Sequence, residues 1–70
     1  MWWWSYESAD GGEVTPAGGD RPRSQDFPTQ SDAETWIGET WRELLDGGVT
    51  AVSLHEHDRR VYGPMGLSPQ

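Results

Sequence analysis

Residues 31–48 read Ser31-Asp32-Ala33-Glu34-Thr35-Trp36-Ile37-Gly38-Glu39-Thr40-Trp41-Arg42-Glu43-Leu44-Leu45-Asp46-Gly47-Gly48, and the helix they predict organises the rest of the chain. Ser31 has the chemistry of an N-cap. Glu34, three residues on, completes a capping box that satisfies two otherwise orphan amide donors. Asp32 adds a favourable charge to the first turn. At about 100° per residue, Ala33, Trp36, Ile37, Thr40, Trp41, Leu44 and Leu45 fall on one half of the circumference. Thr35, Glu39, Arg42, Glu43 and Asp46 fall on the other, so the helix is amphipathic and must lie on something apolar. Gly47 is the expected left-handed residue after the helix, and Gly48 releases the chain. Gly38, on the rim of the polar face, costs about 1 kcal/mol relative to alanine.

Downstream, Val49 to Glu56 has the alternation of a central strand, with Val52 and Leu54 on one face and Ala51, Ser53 and His55 on the other. Arg60 to Gly63 is its expected hairpin partner. A two-residue His57-Asp58 turn sets Glu56 against Arg59 and Leu54 against Val61, placing Val52, Leu54 and Val61 toward the helix. Tyr62 then points to the opposite face near Ser53, and Gly63-Pro64 ends the strand. Met65-Gly66-Leu67 is expected to pack across the core before a short frayed tail.

Upstream, Trp2-Trp3-Trp4-Ser5-Tyr6-Glu7 reads as a first strand. Trp2, Trp4 and Tyr6 share the face expected to be buried, while Trp3, Ser5 and Glu7 share the other. Asp10-Gly11-Gly12 is a turn signal, with a short return through Glu13 and Val14. Residues 15–26, with Pro16, Gly18, Gly19 and Pro22, read as a long loop. The expectation is a single α+β domain over residues 1–70: a small antiparallel or mixed sheet of three to four strands, with one amphipathic helix packed on one face. Such a sheet leaves its other face open.

Composition narrows the function. With 70 residues there is room for one small core, and without cysteine no disulfide reinforces it. The five tryptophans are the evident compensation, since each buried ring removes about 150–250 Å² from water. Trp36 and Trp41 are expected in the core, as are Trp2 and Trp4, with Trp3 the indole most available to a partner. Net charge is −7, and all five basic residues are arginine. That balance argues against nucleic acid as a partner, because a phosphate-binding surface needs a positive footprint. No apolar run is long enough to span a membrane, and the N-terminus has neither the basic nor the long apolar region of a secretion signal. A cytoplasmic location is the corresponding expectation.

No group of residues specifies a reaction. The serines lack a nucleophile elbow, the glycine pairs lack the lysine of a phosphate loop, and the acids fall on a solvated surface. His55 and His57 are weak candidate metal ligands, because an alternating pair needs further ligands and His57 falls in the expected turn. No cofactor is expected. Trp3, Tyr62 and His55, grouped on or near the open sheet face, are the candidate protein-binding residues. The leading expectation is a small acidic accessory protein that binds another protein or self-associates through that aromatic face. The alternative is a small-ligand or metal-binding module centred on the His55/His57 hairpin.

Phe27-Pro28-Thr29-Gln30-Ser31-Asp32-Ala33-Glu34 with Trp36-Ile37, then Leu44 to Val49 and Tyr62-Gly63-Pro64-Met65, resembles small uncharacterised proteins of high-GC actinobacteria over residues 27–67. That resemblance implies no biochemical role. In its order of aromatic, helix and late Gly-Pro the chain is also similar to one unit of the peptidoglycan-binding sporulation-related repeat. Neither similarity assigns an activity.

Overall fold

A computed structural model describes residues 1–8 and 10–67. The element order is β1 (Trp2–Glu7), α1 (Gln30–Asp46), β2 (Ala51–Glu56) and β3 (Arg59–Gly66). The strands form one antiparallel sheet in the order β1-β2-β3, with α1 against one face, a small α+β fold. The tail expected at the C-terminus lies outside the described residues.

Alternation along β1 does what the sequence demands. Trp4 and Tyr6 are buried toward the helix, with Val52 and Leu54 of β2 beside them. Ala33, Ile37 and Leu44 close the core from α1, and Phe27, Val49 and Leu67 complete it. The Trp4 indole Nε1–H donates to the Ala33 carbonyl at 2.8 Å, joining strand and helix by a buried hydrogen bond. Trp2, Trp36 and Trp41 are half-buried and pack against this core.

The helix starts two residues earlier than the capping box implies, at Gln30 rather than Asp32. Thr29, in extended conformation, is the N-cap, and its Oγ1 accepts from the Asp32 amide at 3.1 Å. Ser31 is thereby inside the first turn, and Glu34 accepts from the Gln30 side chain instead of a cap amide. At the other end Gly47 has φ −83°, and the left-handed conformation passes to Gly48 at φ +103°. Gly47 is still needed. A Cβ there would meet the Ala17 nitrogen at 3.1 Å, because the Ala17 amide donates to the Gly47 carbonyl.

The segment between β1 and α1 is held along the outer edge of β1. Isolated bridges pair Glu7 with Glu13, Ser5 with Arg23 and Trp2 with Phe27. Ser24 is buried, and its hydroxyl accepts from the Trp4 amide at 2.8 Å.

The largest departure from expectation is in β3. The tip is as expected, with Glu56 opposite Arg59, but irregularities on both sides of Leu54 bring Tyr62 opposite Leu54 and Met65 opposite Val52. Each irregularity adds one residue to β3, and the first of these, Val61, is consequently exposed rather than core. The strand also continues through the cis Gly63–Pro64 peptide to Gly66 instead of ending there. Glycine at 63 permits this: φ is +115°, and a Cβ would stand 2.8 Å from the Ser53 Cα.

Candidate functional site

Because partners across a sheet share a face, the registers sort the helix-free face into three rows. In the first row Trp3 faces His55, and His55 faces Arg60. In the second, Ser5 faces Ser53 on one side and Arg23 on the other. In the third, Glu13, Glu7, Ala51 and Gly66 follow one another across the face.

The first row is an aromatic pair carrying a cation at each side. The Trp3 and His55 rings stack with centroids 4.1 Å apart and planes 9° from parallel. Arg23 leans from the second row until its guanidinium lies 4.0 Å from the centre of the Trp3 ring, a cation–π contact. Its Nη2 also pairs with Asp26 at 2.7 Å. Trp3 Nε1–H donates to the His57 carbonyl at 2.5 Å, so the indole is held at its polar end as well. Arg60 is exposed, and no ion pair reaches it among the described residues.

A hydroxyl chain connects this row to the acidic one. Ser5 Oγ donates to Glu7 Oε2 at 3.1 Å, and the fully buried Ser53 donates to the same oxygen at 2.7 Å. Ser5 Oγ also lies 2.9 Å from His55 Nε2. With Ser5 donating to Glu7, the Nε2–H tautomer of His55 is the one that completes the chain, donating to Ser5 Oγ. Burial pushes the His55 pKa down, with Arg60 and Arg23 adding to the shift and Glu7 opposing it. The imidazole is therefore neutral near pH 7.

Between the rows lies an open cleft of about 520 Å³, floored by Ser5 and walled by Trp3, Arg23, His55 and Arg60 on one side and Glu7 and Glu13 on the other. Gly11, at φ +87° in the Asp10-Gly11-Gly12 turn, stands at its acidic end. The volume is in the range of small-ligand and side-chain pockets.

Of the candidate residues, Trp3 and His55 are brought together here. Tyr62 is not: its position opposite Leu54 turns it to the helix side, where it lines a separate hollow with Trp4, Ile37 and Met65. His55 and His57 do not converge either. His57 sits in the hairpin turn at φ +54°, and no group of three His, Asp or Glu side chains able to hold a metal occurs among the described residues. Ser5 and Glu7 were already on the Trp3 face by alternation, and the tip register implies Arg60 beside His55. Arg23 had no local signal, since 18 positions of chain separate it from Ser5.

No protein-family model, curated protein or solved structure matches this chain. Among the described residues no helix is long and apolar enough to cross a membrane.

Proposed function

We propose that the protein is a binding module that engages another protein through the helix-free face of its sheet, at the cleft beside the Trp3–His55 stack. The observation that carries this reading is a concave site of about 520 Å³ in which aromatic, cationic, hydroxyl and carboxylate groups converge on one sheet face. Tightly positioned polar groups around an aromatic wall suit recognition. Ser5 is engaged with Glu7 and His55 as a structural link, which favours binding over nucleophilic chemistry.

A different protein fits better than a second copy of this one joined edge to edge. Among the described residues β3 is the free edge of the sheet, and it carries Arg59, Arg60, Pro64 and two irregularities, all of which disfavour strand pairing.

The test compares capture of partners from lysate of the cells that make the protein by wild type, by Arg60→Glu and by Tyr62→Ser, each verified as folded. A stoichiometric partner that survives Tyr62→Ser and disappears with Arg60→Glu supports the cleft. A partner lost only with Tyr62→Ser, or one unaffected by either change, refutes it.

A further inference from the structure

The binding reading above can be taken to the chemistry of the bound segment. We infer that the cleft seats an extended stretch of the partner's polypeptide bearing an acidic and a basic side chain, the acid toward Arg23 and Arg60 and the base toward Glu7 and Glu13.

Charge is segregated by row. Both arginines stand on the Trp3–His55 wall, Arg23 already paired with Asp26 and Arg60 without an ion pair among the described residues, whereas Glu7 and Glu13 form the opposite one. Arg23 belongs to the second row by its backbone pairing with Ser5, yet its guanidinium is drawn over Trp3, which moves the charge to the cationic wall. His55 contributes no competing charge, since its imidazole is held neutral. The β1 and β2 positions between the walls carry small side chains, and Pro22 also lines the cleft. Ser5 and the buried Ser53 lie between them, and the acidic row continues over Ala51 and Gly66.

The separation selects the kind of ligand. Trp3 and Glu7 are four positions apart on β1, which at a rise of about 3.3 Å per residue is roughly 13 Å. A free amino acid, whose ammonium and carboxylate share one carbon, cannot address both walls. An extended peptide can. Its side chains two positions apart are separated by roughly 7 Å along the backbone and gain the remainder from their own length, and those four positions apart span the distance outright. The outer ends of both walls are available: Arg60 and Glu13 are exposed. A neighbouring hollow of about 390 Å³, lined by Glu7, Gly11, Ala51, Pro64 and Gly66, prolongs the cleft in the direction such a segment would run.

The experiment is selection of displayed random dodecapeptides on the immobilised full chain, followed by affinity measurements on synthetic versions of the enriched sequences. The expected consensus has one acidic and one basic residue two or four positions apart. Replacing either by alanine should weaken binding about tenfold. Arg60→Glu should weaken the same peptides at least tenfold, and converting their acid to lysine should restore binding to Arg60→Glu but not to wild type. Glu13→Arg, at an equally exposed position, provides the mirror test at the basic residue. Enriched peptides that are apolar or of one charge sign, and that lose affinity when Ser5 is enlarged to Trp, would overturn the charge inference while leaving the cleft as a binding site. Peptides indifferent to every cleft variant, or no enrichment at all, would overturn both.

Discussion

Gly63→Ala should be among the most damaging small substitutions in the molecule, for two independent reasons at one atom. A Cβ at position 63 would stand 2.8 Å from the Ser53 Cα, 2.9 Å from its Oγ and 3.0 Å from the Val52 carbonyl oxygen. The first and third are backbone atoms of the central strand and cannot turn aside. Forcing an extra methyl into such a site costs about 1–3 kcal/mol. The backbone adds its own penalty, because φ +115° lies beyond even the left-handed helical well and costs an L-residue about 1–3 kcal/mol. If β3 partly relaxes, about 2–4 kcal/mol remains. A domain of 70 residues has on the order of 3–10 kcal/mol in total, so the change removes a large share of it. The melting temperature should fall by on the order of 10–30 °C. Urea unfolding followed by tryptophan fluorescence measures the loss, with Gly38→Ala as the matched control. Position 38 is helical, exposed and has nothing within 4 Å of a new Cβ, so that variant should gain up to about 1 kcal/mol. A Gly63→Ala midpoint within about 0.5 kcal/mol of wild type would refute the reasoning, since neither penalty can be that small if Ser53 and Gly63 touch.

Two further outcomes are expected. Thr29→Ala should destabilise the protein by about 1 kcal/mol through loss of the cap, while Ser31→Ala should change it by only a few tenths, and the reverse order in urea midpoints would restore the Ser31 capping box. The folded-state pKa of His55 is depressed below its unfolded value of about 6.5, so protonation favours unfolding. The stability it contributes is present above about pH 6.5 and is lost as pH falls through the folded value. The stability difference between wild type and His55→Asn should therefore shrink between pH 7.5 and 5.5, and a constant difference would show that the imidazole is not held neutral.

The parts of this fold legible in the sequence are those set by period and by turn chemistry. Alternation alone puts Trp4 and Tyr6 inside and Trp3, Ser5 and Glu7 together on the other face, and that is how they stand. The 3.6-residue period finds α1, and its buried residues Ala33, Ile37 and Leu44 belong to the face so identified. The misreadings share one cause, which is competition between neighbouring solutions of similar local energy. Thr29 and Ser31 are both good caps, and Phe27 decides between them by pairing with Trp2 and fixing where the chain enters. Tyr62 and Val61 are both acceptable inward residues for a regular hairpin. The extra residue at Val61 exchanges them, and no turn residue or break in the alternation marks it in the sequence. Arg23 was illegible for the same reason. Its place over Trp3 depends on the 13–27 segment lying along β1, which is a tertiary fact.

The tryptophans themselves change meaning once they are placed. One, Trp4, is buried, and the other four are half-buried, so the count alone suggests apolar surface left over for a partner. Their contacts say otherwise. Trp2, Trp36 and Trp41 lean on the core, and Trp3 has His55 stacked on its ring, Arg23 over it and His57 at its nitrogen. Much of the π surface of Trp3 is engaged within the chain, where it positions the His55 ring and the Arg23 guanidinium. What Trp3 still offers the cleft is the part of the indole left uncovered, and selectivity comes from the charge and hydrogen bonding of Arg60, Glu7 and Glu13 beside that aromatic wall. It also follows that Trp3→Ala is a poor probe of binding, because it would release His55 and Arg23 together and alter the whole wall. Arg60 is exposed and without an ion pair among the described residues, but it also helps keep the facing His55 neutral. Arg60→Gln, which removes the charge without reversing it, therefore belongs beside Arg60→Glu, and a binding loss shared by both folded variants reads as recognition rather than collapse.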